Sequence, residues 1–156
     1  MRNSRWSMIN RHWHKFNSPW SMVYGLLTIS CIFFSCSTRN TKFQQYFAQG
    51  QTLYEKNCSN CHQKNGHGLG LLYPPLAGSD YFDKNFSACL CIMKYGAKGE
   101  LVINGKNFNK PMPGVPSLTE LEIAEIATYI NNSWGRENRI VEINQVTAAL
   151  KECEVK

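Results

Sequence analysis

The first 35 residues contain no Asp or Glu, yet they carry Arg2, Arg5, Arg11 and Lys15. The formal net charge of +6 therefore falls to +2 once they are set aside (thirteen basic against eleven acidic residues). The basic balance is local to one end, which argues against nucleic acid as a partner. A bilayer-spanning run is also missing: the apolar stretch MVYGLLTISCIFFSC, residues 22–36, gives about 14 residues where ~20 are needed. Alternating strand patterns are scarce and no internal repeat is visible, so the chain reads as mainly helical with long loops. It also has one C-x-x-C pair and no second.

The basic start and short apolar run have the layout of an export signal. The run ends at Ser35-Cys36, before polar STRNTK. A small residue followed by Cys at such an end resembles a bacterial lipoprotein signal, in which Cys36 is lipidated and becomes the first mature residue. Phe33 and Phe34 depart from that pattern, and Ser30-Cys31 is a second candidate. Simple signal cleavage and an uncleaved anchor are the alternatives. All three predict that the remainder lies outside the cytoplasmic membrane. The resulting division is a signal over 1–35, a tether over 36–42 beginning at Cys36, a domain over 43–135, and a tail over 136–156.

Within the domain, Phe43, Tyr46, Phe47, Gly50, Leu53 and Tyr54 form one stripe at helical spacing. Residues 57–79 are rich in Gly, Pro and Asn and read as loop. A short helix is expected over 85–96, with Ser87 as N-cap and Gly96 as C-cap. Asn104-Gly105 suggests a tight turn between extended segments. Three prolines exclude helix over 110–116. The clearest helix runs from Thr119 to Ser133: Thr119 and Glu122 form a capping box, Ile123, Ile126, Ala127 and Ile130 form the apolar stripe, and Gly135 ends it. The tail contains a weak strand or helix segment and Cys153. Two apolar stripes are too few to fill the centre of about 115 residues, so something else is expected there.

The chemistry is concentrated in NCSNCHQKNGHGLG, residues 57–70. A zinc clip needs four ligands, and the only later cluster is Cys89-Leu90-Cys91, whose side chains on a helix would diverge by about 200°. A dithiol redox pair would want a βαβ surround, which is missing. Covalent haem fits the spacing. Cys58 and Cys61 lie about one helical turn apart and can reach two vinyl groups on one porphyrin edge. His62 can then offer its imidazole to iron.

A sixth ligand is then required, or an open site. His12, His14, Met1, Met8 and Met22 lie in the leader, and His67 is too close to His62 in the same loop. Met93 sits among core-like neighbours in a helix. Met112 is clamped between Pro111 and Pro113, which would hold a flexible thioether at a fixed point.

On these residues the chain resembles the class I cytochromes c, in particular the small bacterial monohaem domains, over about Gln45 to Gly135. Gly50 and Tyr54 match the Gly and aromatic of that family's first helix. Cys58, Cys61 and His62 match its haem site, and YPPLAG matches its Pro-x-Leu-x-Gly. The segment from Ile103-Asn104-Gly105 to Met112-Pro113 matches the approach to its axial Met. Tyr129 matches the aromatic packing across Gly50. Phe108 departs from the family, where Tyr is frequent.

The resemblance implies the class I cytochrome c fold, mainly α, wrapped around one haem c attached through Cys58 and Cys61. His62 and Met112 would be the iron ligands, with the Pro74 carbonyl accepting the His62 N–H. It also implies a one-electron carrier rather than an enzyme, with redox-protein partners; the signal pattern adds a lipid anchor at Cys36, and the local charge argues for no nucleic acid. The alternatives are a haem subunit of a larger oxidoreductase complex, or a sensor or small enzyme with a displaceable Met112. Lys64, Lys106 and Lys110 flank the ligand loops and could steer acidic partners. Of the remaining cysteines, either Cys89 or Cys91 could pair with Cys153; the resemblance favours Cys91.

Overall fold

Helix α1 spans Thr38–Asn57 and carries the first apolar stripe. It starts five residues before the periodicity at Phe43, so most of the expected tether is helical. Tyr46, Gly50 and Tyr54 of the stripe are buried, and Phe43, Phe47 and Leu53 half-buried. The computed structural model describes residues 38–136 and 139–154. The signal, with Cys31 and Cys36, lies outside them. Among the described residues no helix is long and apolar enough to cross a membrane.

The partner of α1 is α5, Glu120–Asn131. Its capping box forms as the sequence predicts: the Thr119 hydroxyl accepts from the Glu122 N–H, and the Glu122 carboxylate accepts from the Thr119 N–H. The two helices cross at Gly50, where a Cβ would sit 2.0 Å from the Glu125 carbonyl oxygen and 2.9 Å from Tyr129 Cβ. Around the crossing, Tyr129 packs against Phe47 and Tyr54 (5.3 Å between centroids in each case) and Trp134 closes the cluster at 5.8 Å from Tyr129. Helix α5 stops before the expected Gly135. At its end the Asn132 side chain donates to the Thr128 and Arg139 carbonyls and accepts from the Arg139 N–H.

Between these helices the chain forms short elements: α2 (Ser59–His62), α3 (Asp80–Lys84) and α4 (Phe86–Tyr95). Strands follow at β1 (Gly96–Ala97), β2 (Leu101–Ile103), β3 (Lys106–Phe108) and β4 (Met112–Pro113). Strands β2 and β3 pair as the expected hairpin, with Asn104 and Gly105 both at positive φ in the turn. Strands β1 and β4 pair antiparallel, Ala97 opposite Met112.

Two expectations need correction. Ser87 does not cap α4. Helix α3 runs up to Asn85, which ends one helix and begins the next, so α4 starts one residue before Ser87. The tail is also not a weak segment. Its helix α6, Ile143–Glu154, packs on α4 and α5 and buries Val146, Ala149 and Leu150. Cys153 of α6 is bonded to Cys91 of α4, with Cα atoms 6.1 Å apart, while Cys89 is free and buried.

Candidate functional site

The C-x-x-C-H stretch is a single turn continued from α1. The Cys58 N–H donates to the Tyr54 carbonyl at 2.8 Å, and the N–H groups of Cys61 and His62 donate to the Cys58 carbonyl. The turn is held from behind by Tyr54, whose hydroxyl donates to the Gln63 carbonyl at 2.7 Å. Burial pushes the Tyr54 hydroxyl pKa upward, so it remains a donor. Cys58 and Cys61 are both unpaired and partly buried. Burial, and then the neighbouring Cys61, raise the Cys58 thiol to about 11.

His62 is only 6% exposed. Its Nδ1 lies 2.9 Å from the Pro74 carbonyl oxygen. A carbonyl can only accept, so Nδ1 carries the proton and Nε2 keeps its lone pair. Burial lowers the His62 pKa, partly opposed by this bond, so the ring is held neutral. The loop between the two residues is folded tightly. The Gly66 carbonyl accepts from the Leu76 and Ala77 N–H groups, and the Gly68 N–H donates to the His62 carbonyl. At Gly68, with φ of +65°, a Cβ would lie 2.2 Å from the Tyr73 carbonyl oxygen and 2.6 Å from that of Pro74. Glycine is therefore required there for the chain to pass over the very carbonyl that holds His62. His67, by contrast, is exposed, with its backbone N–H turned to the Asn65 side chain.

His62 and Met112 line one cleft, together with Pro74, Leu76, Phe82, Ile92, Met93 and Ile103. Its walls are almost wholly apolar. Met93, expected in the core, is buried and also reaches this wall. Cys89 lines it too, its thiol pushed up to about 12, first by burial. Phe108 is buried in the hairpin, paired with Leu101.

The lysines divide. Lys64 pairs with Glu55 at 3.1 Å on the surface, Lys110 lies 4.6 Å over the Tyr73 ring, and Lys106 is exposed. Sequence reasoning missed Arg136. It donates to the carbonyls of Leu76 and Ser79, pairs with Asp83 and stacks over Phe82, which fixes the loop after Pro74 from outside. A single Arg in a tail gives no signal of that. The Ser79 cap of α3 was readable from GSDYFDK: its hydroxyl accepts from the Phe82 N–H, with Asp80 in the first turn.

The family model for cytochrome c matches residues 47–134, more than half of the chain. The chain belongs to the cytochrome c family. Cytochrome c-552 of Thermus thermophilus is 30% identical over 105 residues, which cover 65% of this chain and 79% of that protein. The cytochrome c subunit of a quinone alcohol dehydrogenase from Gluconacetobacter polyoxogenes is 30% identical over 93 residues, 56% of this chain but only 19% of that protein. The corresponding subunit from Gluconobacter oxydans is 29% identical over 89 residues.

A cytochrome c domain implies covalently bound haem c and electron transfer, and it agrees with the largely helical fold. The donor set fits that group. Two unpaired thiols sit one turn apart, a neutral imidazole has one nitrogen engaged, and a thioether shares its apolar cleft. Among the described residues no three His, Cys, Asp or Glu side chains cluster as an alternative metal site.

Proposed function

We propose that this cytochrome is a one-electron carrier with a single haem c, attached through Cys58 and Cys61 and ligated by His62 and Met112. The observation that carries this reading is the meeting of His62 and Met112 in one apolar cleft, with His62 Nδ1 occupied by Pro74. When bound, the haem supplies an iron that cycles between the ferric and ferrous states. The protein's part is to hold both ligands, exclude water and set the potential. The Pro74 carbonyl fixes the His62 tautomer and raises its basicity. A thioether favours ferrous iron and raises the potential relative to a second imidazole. With His62 and Met112 both given to the iron, no position would be left open for chemistry there.

The anchoring is proposed from the sequence: lipidation at Cys36 after export, which would keep the domain on the periplasmic face of a bacterial membrane. Its partners would then be redox proteins, approached in part through Lys64, Lys106 and Lys110. A pyridine haemochrome spectrum of the purified protein tests the cofactor, and mass analysis of the mature N-terminus tests the lipid. A b-type spectrum, or an apoprotein, would overturn the reading.

The relatives named as cytochrome c subunits of quinone alcohol dehydrogenases support a second reading, a haem subunit of a larger complex. A stoichiometric enzyme partner retained through purification from native membranes would favour it over the freely docking carrier.

A further inference from the structure

Helix α4 forms a wall with the cleft on one side and the tail helix on another. Cys89, Ile92 and Met93 line the cleft. Cys91 is bonded to Cys153 of α6. The C-terminal end of α4 is locked to the segment that carries Met112. Gly96 and Ala97 pair with Pro113 and Met112. The Val115 N–H donates to the Met93 carbonyl at 2.9 Å, and Lys94 Nζ donates to the carbonyls of Pro116 at 2.8 Å and Leu118 at 2.5 Å.

The two backbones touch directly. A Cβ at Gly96 would lie 2.5 Å from the Met112 carbonyl oxygen, and one at Gly114 would lie 2.5 Å from both the Gly96 nitrogen and the Lys94 carbonyl oxygen. With no side chain between them to absorb a shift, movement of the α4 end is passed to β4. A helix is stiff, and Cys91 to Gly96 is only about 7.5 Å along its axis.

We propose that the Cys91–Cys153 disulfide is a positioning element for Met112: it ties α6 to α4 and, through the Gly96–Gly114 crossing, holds β4 in its ligating position. The proposal rests on Met112 being the sixth iron ligand. Packing alone holds α6 less firmly. The helix is 12 residues long, below the length at which isolated helices are stable, and three of its buried side chains are a Val, an Ala and a Leu. Its start is tied by the exposed, weak Lys42–Glu142 pair, by the Val141 N–H donating to the Thr128 hydroxyl and by the Thr147 hydroxyl donating to Glu120, none of which reaches the last turn. The covalent bond secures its last turn. A dithiol opens it by thiolate attack on one sulfur, forming a mixed disulfide, and a second attack releases the protein. Cys91 and Cys153 then gain two electrons and two protons, and the reagent becomes a cyclic disulfide.

The test uses the full-length holoprotein, kept ferrous at an electrode, before and after cleavage by dithiothreitol. Carbon monoxide competes with Met112 for the iron, so its binding rate reports how often Met112 leaves. We expect cleavage to speed binding about tenfold, an ordinary coupling between linked sites. Cys153→Ser should bind at the faster rate without the reagent. Val146→Ala, which loses α6 packing but keeps the bond, should lower thermal stability and leave the rate unchanged. Equal rates before and after cleavage, or a matching rise in Val146→Ala, would overturn the proposal. If the uncleaved wild type already binds carbon monoxide at open-site speed, the ligation reading itself fails, and the two failures are thereby distinguished.

Discussion

The Nδ1–H of His62 donates to the carbonyl oxygen of Pro74 across 2.9 Å, and Gly68 is the only residue type that lets the intervening loop close over that bond. The contact links a motif readable in five letters to a proline twelve residues on. It decides which imidazole nitrogen is free and how basic that nitrogen is. In Pro74→Ala the loop regains backbone freedom and the bond loosens. As the proposed iron ligand, His62 would then donate less electron density, ferric iron would be less well stabilised, and the potential should rise. Spectroelectrochemical titration of both proteins checks this; an unchanged or lower potential would show that the bond does not tune the ligand.

Gly68→Ala should impair the site rather than tune it. A Cβ there would lie 2.2 Å from a backbone oxygen, at a positive φ that Ala rarely adopts. The yield of covalently attached haem per polypeptide should fall several-fold, whereas Gly70→Ala, with nothing within 4 Å of its Cβ, should retain most of it. Equal yields would contradict the close-approach argument.

Gly50→Ala reverses the usual helix rule. In an exposed helix the change stabilises by up to about 1 kcal/mol. Here the methyl would lie 2.0 Å from the Glu125 carbonyl, so α1 and α5 must separate at their crossing. Overpacking of this kind costs about 1–3 kcal/mol, and Tm should drop. A stabilised variant would mean that the helices do not meet there.

The cap of α5 predicts a pH dependence. The Thr119 backbone N–H, then its hydroxyl, hold the Glu122 carboxyl below the usual range. A lowered folded-state pKa stabilises above the unfolded value, near 4.3, and that contribution disappears as pH falls through the folded-state value. Glu122→Gln should therefore be less stable than wild type at neutral pH, with the gap closing in acid. Thr119→Ala should cost ~1 kcal/mol at pH 7. Denaturant unfolding across pH measures both, and a gap that widens in acid would have the wrong sign.

The disulfide should matter for stability as well as for position. Closing a separation of 62 residues restricts the unfolded chain by about 4 kcal/mol. Cys91→Ser with Cys153→Ser should therefore unfold at lower denaturant by roughly that amount. Thiol titration of the unfolded, unreduced mature holoprotein should find one free thiol, Cys89. Three would exclude the bond.

What the sequence made legible was local. The turn from Cys58 to His62, the Thr119–Glu122 box, the Asn104-Gly105 hairpin and the Pro-held Met112 each depend on neighbours a few residues away. The stripe from Phe43 to Tyr54 was readable, but α1's first turn was not, because Thr38 to Lys42 carry no apolar period. Ser87 misled as a cap because α3, two turns at most, occupies the residues before it. Helix α6 was legible only as a weak segment, strand or helix, although Val146, Ala149 and Leu150 stand at i, i+3 and i+4, since three small or medium apolar residues in a charged tail give a weak stripe. Arg136 was unreadable in principle: its partners at Leu76, Ser79 and Asp83 lie more than fifty residues away. Periodicity and spacing left Cys91 and Cys89 equal, since the choice depends on the side of α4 that faces α6; only the resemblance favoured Cys91.

In the proposed function, His62 and Met112 together hold the iron of one haem c. Ferric iron bound by a thioether gives a weak far-red sulfur-to-iron charge-transfer band, and this band in wild type and Met112→Ala is the most direct measurement. The band should be present in wild type and lost in Met112→Ala, with a lower potential. A wild-type protein without the band, or a Met112→Ala variant that keeps it, would mean that Met112 does not hold the iron.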